Sequence, residues 1–116
     1  MRREDPADVP FLPSVGQVYL VATVLFQPPD KKPRRPFVVV DAPMTLRGRI
    51  AVVARTSNTE VDGVQHDADP ALNLEKDGVF AWLKSTEAQL WTPRNVLLYG
   101  KVSPAVLKQI MRRWYE

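Results

Sequence analysis

Apolar and polar residues alternate along most of this chain in short runs of strand character, and one run near the end repeats with the period of a helix. Gly16 to Phe26 (GQVYLVATVLF) is rich in β-branched and aromatic residues and predicts a long strand. Its near-continuous apolarity after Val18 predicts cover on both faces for part of its length. Gln27 to Pro36 (QPPDKKPRRP) crowds prolines among cations and predicts a loop. Phe37–Val40 and Ile50–Ala54 predict the next strands, with a turn over Ala42–Gly48. Thr56 to Asn73 is polar and predicts a long connection holding at most one short strand. Val79–Leu83, Gln89–Thr92 and Val96–Tyr99 suit further strands. Ser103 is a good N-cap, and Pro104 follows at the first helical position, where its missing N–H costs nothing. Leu107, Ile110, Met111 and Trp114 then fall on one helical face. Arg112 and Arg113 sit in the last turn, which the helix dipole favours.

The pattern predicts a mainly β domain of about five or six strands with a C-terminal helix, most simply a small barrel or a strongly curved sheet. Residues 1–13, with Pro6, Pro10 and Pro13 among charges, predict a flexible N-terminal arm that Val9 and Phe11 could pin to the surface. Residues 14–116 form the domain. A length of 116 residues fits one domain and leaves no room for two.

Composition narrows the chemistry. The chain has no cysteine, which removes disulfides, thiol nucleophiles and thiolate metal sites together. The most apolar stretch, Val18 to Phe26, is about half of the ~20 residues a helix needs to cross a bilayer. Glu4, Asp5 and Asp8 follow Arg2 and Arg3 where a signal peptide would turn apolar, so a cytoplasmic protein is expected. Lys and Arg total 16 against 13 Asp and Glu, a net charge of +3. That surplus alone says little about a polyanionic partner, but part of it is clustered.

Lys31, Lys32, Arg34 and Arg35 lie together between two strands, where they can face phosphates or simply solvate a hairpin tip. Arg35 stands apart, because Pro36 pushes it into an extended conformation and defines its direction. Thr56 and Ser57 end a strand, where hydroxyls donate to a phosphate oxygen or cap a turn. His66, the single histidine, is flanked by Asp67 and Asp69. It reads as an acid or base near neutral pH, or as an exposed loop residue; no second histidine lies near enough to make a zinc site. Trp82 and Trp114 read as core, leaving Trp91 beside Thr92 and Pro93 as the tryptophan open to stacking on an unpaired base. No phosphate-cradling glycine loop or established hydrolase motif appears.

Five segments in order resemble the MazF/PemK toxin family over roughly residues 16–113. Gly16-Gln17-Val18 is similar to its opening strand, which usually has an acidic residue at the place of Gln17. Arg35-Pro36 followed by Phe37–Val40 resembles its Arg-Pro-apolar step. Arg55-Thr56-Ser57 ends a strand where the family has Thr or Ser. Leu74-Glu75-Lys76-Asp77-Gly78-Val79 is similar to its L-x-K-D-S-V step, with Gly78 in place of serine, and Tyr99–Ser103 resembles its G-x-L-S before the helix. Residues 84–88 read as an insertion. The resemblance implies an SH3-like barrel, a homodimer, an acidic and partly disordered antitoxin, and metal-independent cleavage of single-stranded RNA with no cofactor. Arg35 and Thr56 carry over as catalytic residues, whereas His66 falls in the family's variable loop and has no equivalent there. Lys31, Lys32, Arg34, Ser57 and His66 are the expected nucleic-acid contacts. Two alternatives stand beside it. One is a barrel that binds RNA or DNA without cutting it. The other is a gyrase poison of the same fold, using C-terminal residues such as Trp114.

Overall fold

The computed structural model describes residues 5–28 and 30–116. Its strands are β1 (Gln17–Ala22), β2 (Arg34–Asp41), β3 (Arg49–Thr56), β4 (Val64–His66), β5 (Gly78–Glu87) and β6 (Val96–Lys101), followed by helix α1 (Pro104–Tyr115). All pairings are antiparallel, in the order β4-β5-β3-β2-β1-β6.

The sheet is covered on both faces, which is why β2 and β3 read as almost unbroken apolar runs. Phe37, Val39, Ile50 and Val52 face one core with Tyr19, Val21 and Trp91. Val38, Val40 and Val53 face the other with Phe80, Leu72 and Ile110. The sheet curls into a half-barrel. Its β6 edge draws toward the turn Pro70–Leu72, and Leu72 packs so close to Gly100 on β6 that a Cβ there would lie 2.5 Å from its Cδ2. Helix α1 closes the second core: Ser103 Oγ accepts from Val106 N at 3.3 Å, Ile110 is fully buried, and Leu107, Met111 and Trp114 pack beside it. Trp114 is thus accounted for by packing.

Three local expectations give way. The first strand ends at Ala22, where Thr23–Leu25 makes a 3-10 turn. Thr23 donates its N–H to Pro33 O and its hydroxyl to Lys32 O, so the loop before β2 takes the bonds a longer strand would have used. Gln89–Thr92 is not a strand either. Ala88–Leu90 is a 3-10 turn, and Thr92 O accepts from Asn95 N and Val96 N to swing the chain into β6. The strand expected over Val79–Leu83 runs on to Glu87, so most of residues 84–88 lies in β5 and Ala88 opens the turn that follows.

Residues 5–13 lie against the body. Phe11 N donates to Trp91 O and its ring packs on Tyr19, while Arg94 forks to Asp5 and Asp8. Residues 1–4 of the expected arm lie outside the described residues. Among the described residues no helix is long and apolar enough to cross a membrane.

Candidate nucleic-acid interface

Antiparallel pairing brings the end of β3 beside the start of β2. The ladder ends with Phe37 against Ala54, and Arg35 on β2 and Thr56 on β3 each lie two residues beyond that pair. Arg35 is 8% exposed, since Pro36 holds it in the strand rather than at the loop tip. Its guanidinium is held on three sides. Nε donates to Asp30 Oδ2 at 2.6 Å, Nη1 donates to the Arg55 carbonyl at 3.4 Å, and Cζ lies 5.6 Å from the centre of the Trp82 ring. Among the described residues Nη2 has no acceptor. The Arg35 bond holds Asp30 well below the usual carboxylate range, at about 2, so Asp30 is ionised at any ordinary pH.

Lys32, Arg34, Arg35 and Ser57 share a depression of about 180 Å³, so three of the expected contacts come together with one expected catalytic residue. Lys31 is exposed nearby in the chain but does not line that depression. Thr56 is buried, and its Oγ1 accepts from Asn58 N at 3.1 Å, the turn-capping reading of this hydroxyl. The cap occupies an acceptor position only; the hydroxyl hydrogen remains to donate.

His66 is placed elsewhere. It is 8% exposed and lines a separate depression of about 340 Å³ with Asp67, Asp69 and Gln109. Its Nδ1 accepts from Arg55 Nε at 2.9 Å, which puts the neutral ring's proton on Nε2, 3.8 Å from Asp69 Oδ2. Burial pushes its pKa down, the Arg55 charge pushes further, and Asp69 and Asp67 offset part of this. His66 is therefore neither an exposed loop residue nor part of the cationic cluster, and it is neutral at pH 7.

The residue that holds this region together is Arg55, which the sequence presented only as the neighbour of Thr56. It is 5% exposed. Besides His66 Nδ1, its Nη2 donates to Lys76 O at 2.8 Å and, more weakly, to the carbonyls of His66 and Asp67. Gly78 makes room for it, because a Cβ there would sit 2.7 Å from Arg55 Nη1 and 2.5 Å from the Thr56 carbonyl oxygen. Arg55 thus ties the connection between β4 and β5 to the strand that carries Thr56.

A larger groove of about 660 Å³ opens on the other side of the Arg35–Asp30 pair. Its walls include Phe26, Asp30, Arg49, Trp82 and Lys84. Here two tryptophans exchange their expected places. Trp91 is fully buried, whereas Trp82 is 42% exposed. The cause is a β-bulge: Val53 pairs with Leu83 but Arg55 with Phe80, so Ala81 and Trp82 together oppose Ala54. The bulge breaks the alternation of β5, and β4 covers only Gly78–Phe80, leaving the side chains beyond without a second flanking strand. Arg49 reaches the groove from β3, with Nε donating to Ser85 Oγ at 3.1 Å, and Lys84 Nζ lies 6.0 Å from the Phe26 ring centre.

Among the described residues no group of three or more His, Asp or Glu side chains converges as metal ligands would. Compared with protein-family models, curated proteins and solved structures, the chain matches none.

Proposed function

We propose that this protein is a toxin-type endoribonuclease of SH3-like barrel fold that cleaves single-stranded RNA through the RNA's own 2′-hydroxyl. The observation that carries the reading is Arg35. Its guanidinium is oriented by Asp30 and Arg55, stands in one depression with Lys32, Arg34 and Ser57, and adjoins an exposed indole. Cations that meet phosphates beside an aromatic surface that meets bases are the two requirements of a single-strand site.

The 2′-oxygen bonds to phosphorus as the bond to the 5′-oxygen breaks, leaving a 2′,3′-cyclic phosphate and a 5′-hydroxyl. The 2′-proton leaves to a base, and the 5′-oxygen takes one up. Charge builds on the non-bridging oxygens, and a guanidinium whose Nη2 has no acceptor among the described residues suits them. Thr56 contributes the hydroxyl hydrogen that its cap leaves available. A guanidinium is a poor proton acceptor in general, and Asp30 is no fit base because its pKa is near 2. An acidic antitoxin segment would neutralise the protein by covering the Lys32–Arg35 depression. For a homodimer, the place to look is edge strand β6, where Leu97 and Leu98 are exposed.

A second reading, a barrel that binds nucleic acid without cutting it, is favoured by the Arg35–Asp30 pair, which already offsets the arginine's charge. One assay separates them: purified protein in EDTA with a mixed-sequence single-stranded RNA, its all-deoxy copy, and Arg35→Ala. Cleavage of the RNA alone is expected, falling by roughly 100-fold or more in Arg35→Ala. Full cleavage by Arg35→Ala refutes the assignment, and salt-sensitive binding of uncut RNA selects the second reading.

A further inference from the structure

Given that the protein binds single-stranded RNA, the reading on which this inference rests, we infer that the groove beside Arg35 is a nucleobase subsite that selects guanine. Its volume, about 660 Å³, falls within the ~300–1,000 Å³ of small-ligand pockets. One wall is the Trp82 indole, turned outward by the bulge and 42% exposed. Arg35 covers part of the indole, and a base stacked against the part left in water recovers the cost of its exposure. Arg49 and Lys84 at the rim supply the positive charge that the flanking phosphates require.

Selection comes from Asp30. Its Oδ2 accepts from Arg35 Nε and its Oδ1 from Lys32 N, so both oxygens are fixed in place, and each retains a further acceptor position. A fixed carboxylate, which only accepts, fits an edge that presents two adjacent donors. Guanine offers that edge with N1–H and N2–H. Adenine and cytosine pair an amino donor with a ring-nitrogen acceptor, and uracil flanks its one N–H with two carbonyls; each sets an acceptor against the carboxylate. Asp30 also orients Arg35, so reading the base and placing the phosphate are linked through one side chain.

The test uses uncleavable 2′-O-methyl heptauridylates whose central base is guanine, hypoxanthine, adenine, cytosine or uracil, with binding read by fluorescence anisotropy. The guanine heptamer is expected to bind about tenfold more tightly than the hypoxanthine heptamer, which lacks only the 2-amino donor. Trp82→Ala should weaken all five by about tenfold. Asp30→Asn, which offers one acceptor and one donor, should abolish the guanine–hypoxanthine difference and move preference toward adenine or cytosine. A fold defect in Asp30→Asn would weaken all five without changing their order. Trp82→Phe, which keeps an aromatic face, should recover most of the binding lost in Trp82→Ala, as it would not if the loss were a fold defect. Equal binding of the five by unmodified protein overturns the inference while RNA binding stands. A guanine preference that survives in Asp30→Asn overturns it as well. Failure of every heptamer to bind overturns this inference together with the reading beneath it.

Discussion

Replacing Arg55 by Met keeps most of the aliphatic stem and removes the guanidinium, which isolates what the fork contributes to stability. Two of its bonds are short: Nε to His66 Nδ1 at 2.9 Å and Nη2 to Lys76 O at 2.8 Å. Hydrogen bonds from charged donors are worth about 1.5–3 kcal/mol each, so the pair amounts to roughly 3–6 kcal/mol. Part is returned, because the variant no longer holds a charge that burial disfavours. A net loss of about 3 kcal/mol is expected, a large share of the ~5–15 kcal/mol of a typical domain. At about 4 °C per kcal/mol for a chain of this size, the thermal midpoint should fall by roughly 12 °C. The assay is thermal and urea unfolding followed by circular dichroism, with coincident transitions as the check on two-state behaviour. Combining Arg55→Met with His66→Leu, which offers the guanidinium no acceptor, should cost at least about 1 kcal/mol less than the two changes summed, since they share a bond. A fall in midpoint under about 4 °C, or strict additivity, would refute the role of Arg55 as the tie between β3 and the β4–β5 connection.

Two further outcomes follow from the same neighbourhood. The folded-state pKa of His66 lies below its ordinary value of about 6.5, so the unfolded chain binds the proton more readily and stability falls as pH drops below about 6.5. Midpoints measured from pH 7.5 to 5 should show that acid loss in the unmodified protein and less of it in His66→Gln, which keeps an acceptor for Arg55 but does not titrate; parallel profiles would exclude His66 as the cause. Gly78→Ser places its Cβ against the Thr56 carbonyl and the Arg55 guanidinium, and should cost about 1–3 kcal/mol by urea unfolding, whereas a neutral result would show that β5 yields there without strain.

The legibility of this chain varied with the range of the interactions involved. Helix α1 was readable in full, because Ser103, Pro104 and the Leu107-Ile110-Met111-Trp114 stripe act within a few residues of one another. Burial on both faces was readable in the apolar run of β1, where Val18 lies in one core and Tyr19 and Val21 in the other. The extended placement of Arg35 was readable from Pro36, but the loop read over Gln27–Pro36 stops short of Arg34, where β2 begins. Trp82 and Trp91 were not readable. Which of them reaches solvent depends on a bulge set by the pairing of β5 with β3, and that pairing joins residues far apart in the chain. Arg55 was hidden for the same reason, since its partners at residues 66, 67 and 76 meet it only after the sheet forms. Asp30 looked like one more loop charge until its distance to Arg35 was known.

The bulge at Ala81–Trp82 also bears on how such a groove can arise or vanish during evolution. Side-chain direction in a strand has a period of two, so losing one residue there would restore unbroken alternation and re-aim every side chain on one side of the deletion. A lineage would pass between a sheet with an aromatic wall beside Arg35 and one without it by a single-codon deletion rather than by a series of substitutions. Chains of this architecture that differ in length by one residue at this point should therefore differ in what they grip, even where Arg35 and its cationic neighbours are identical.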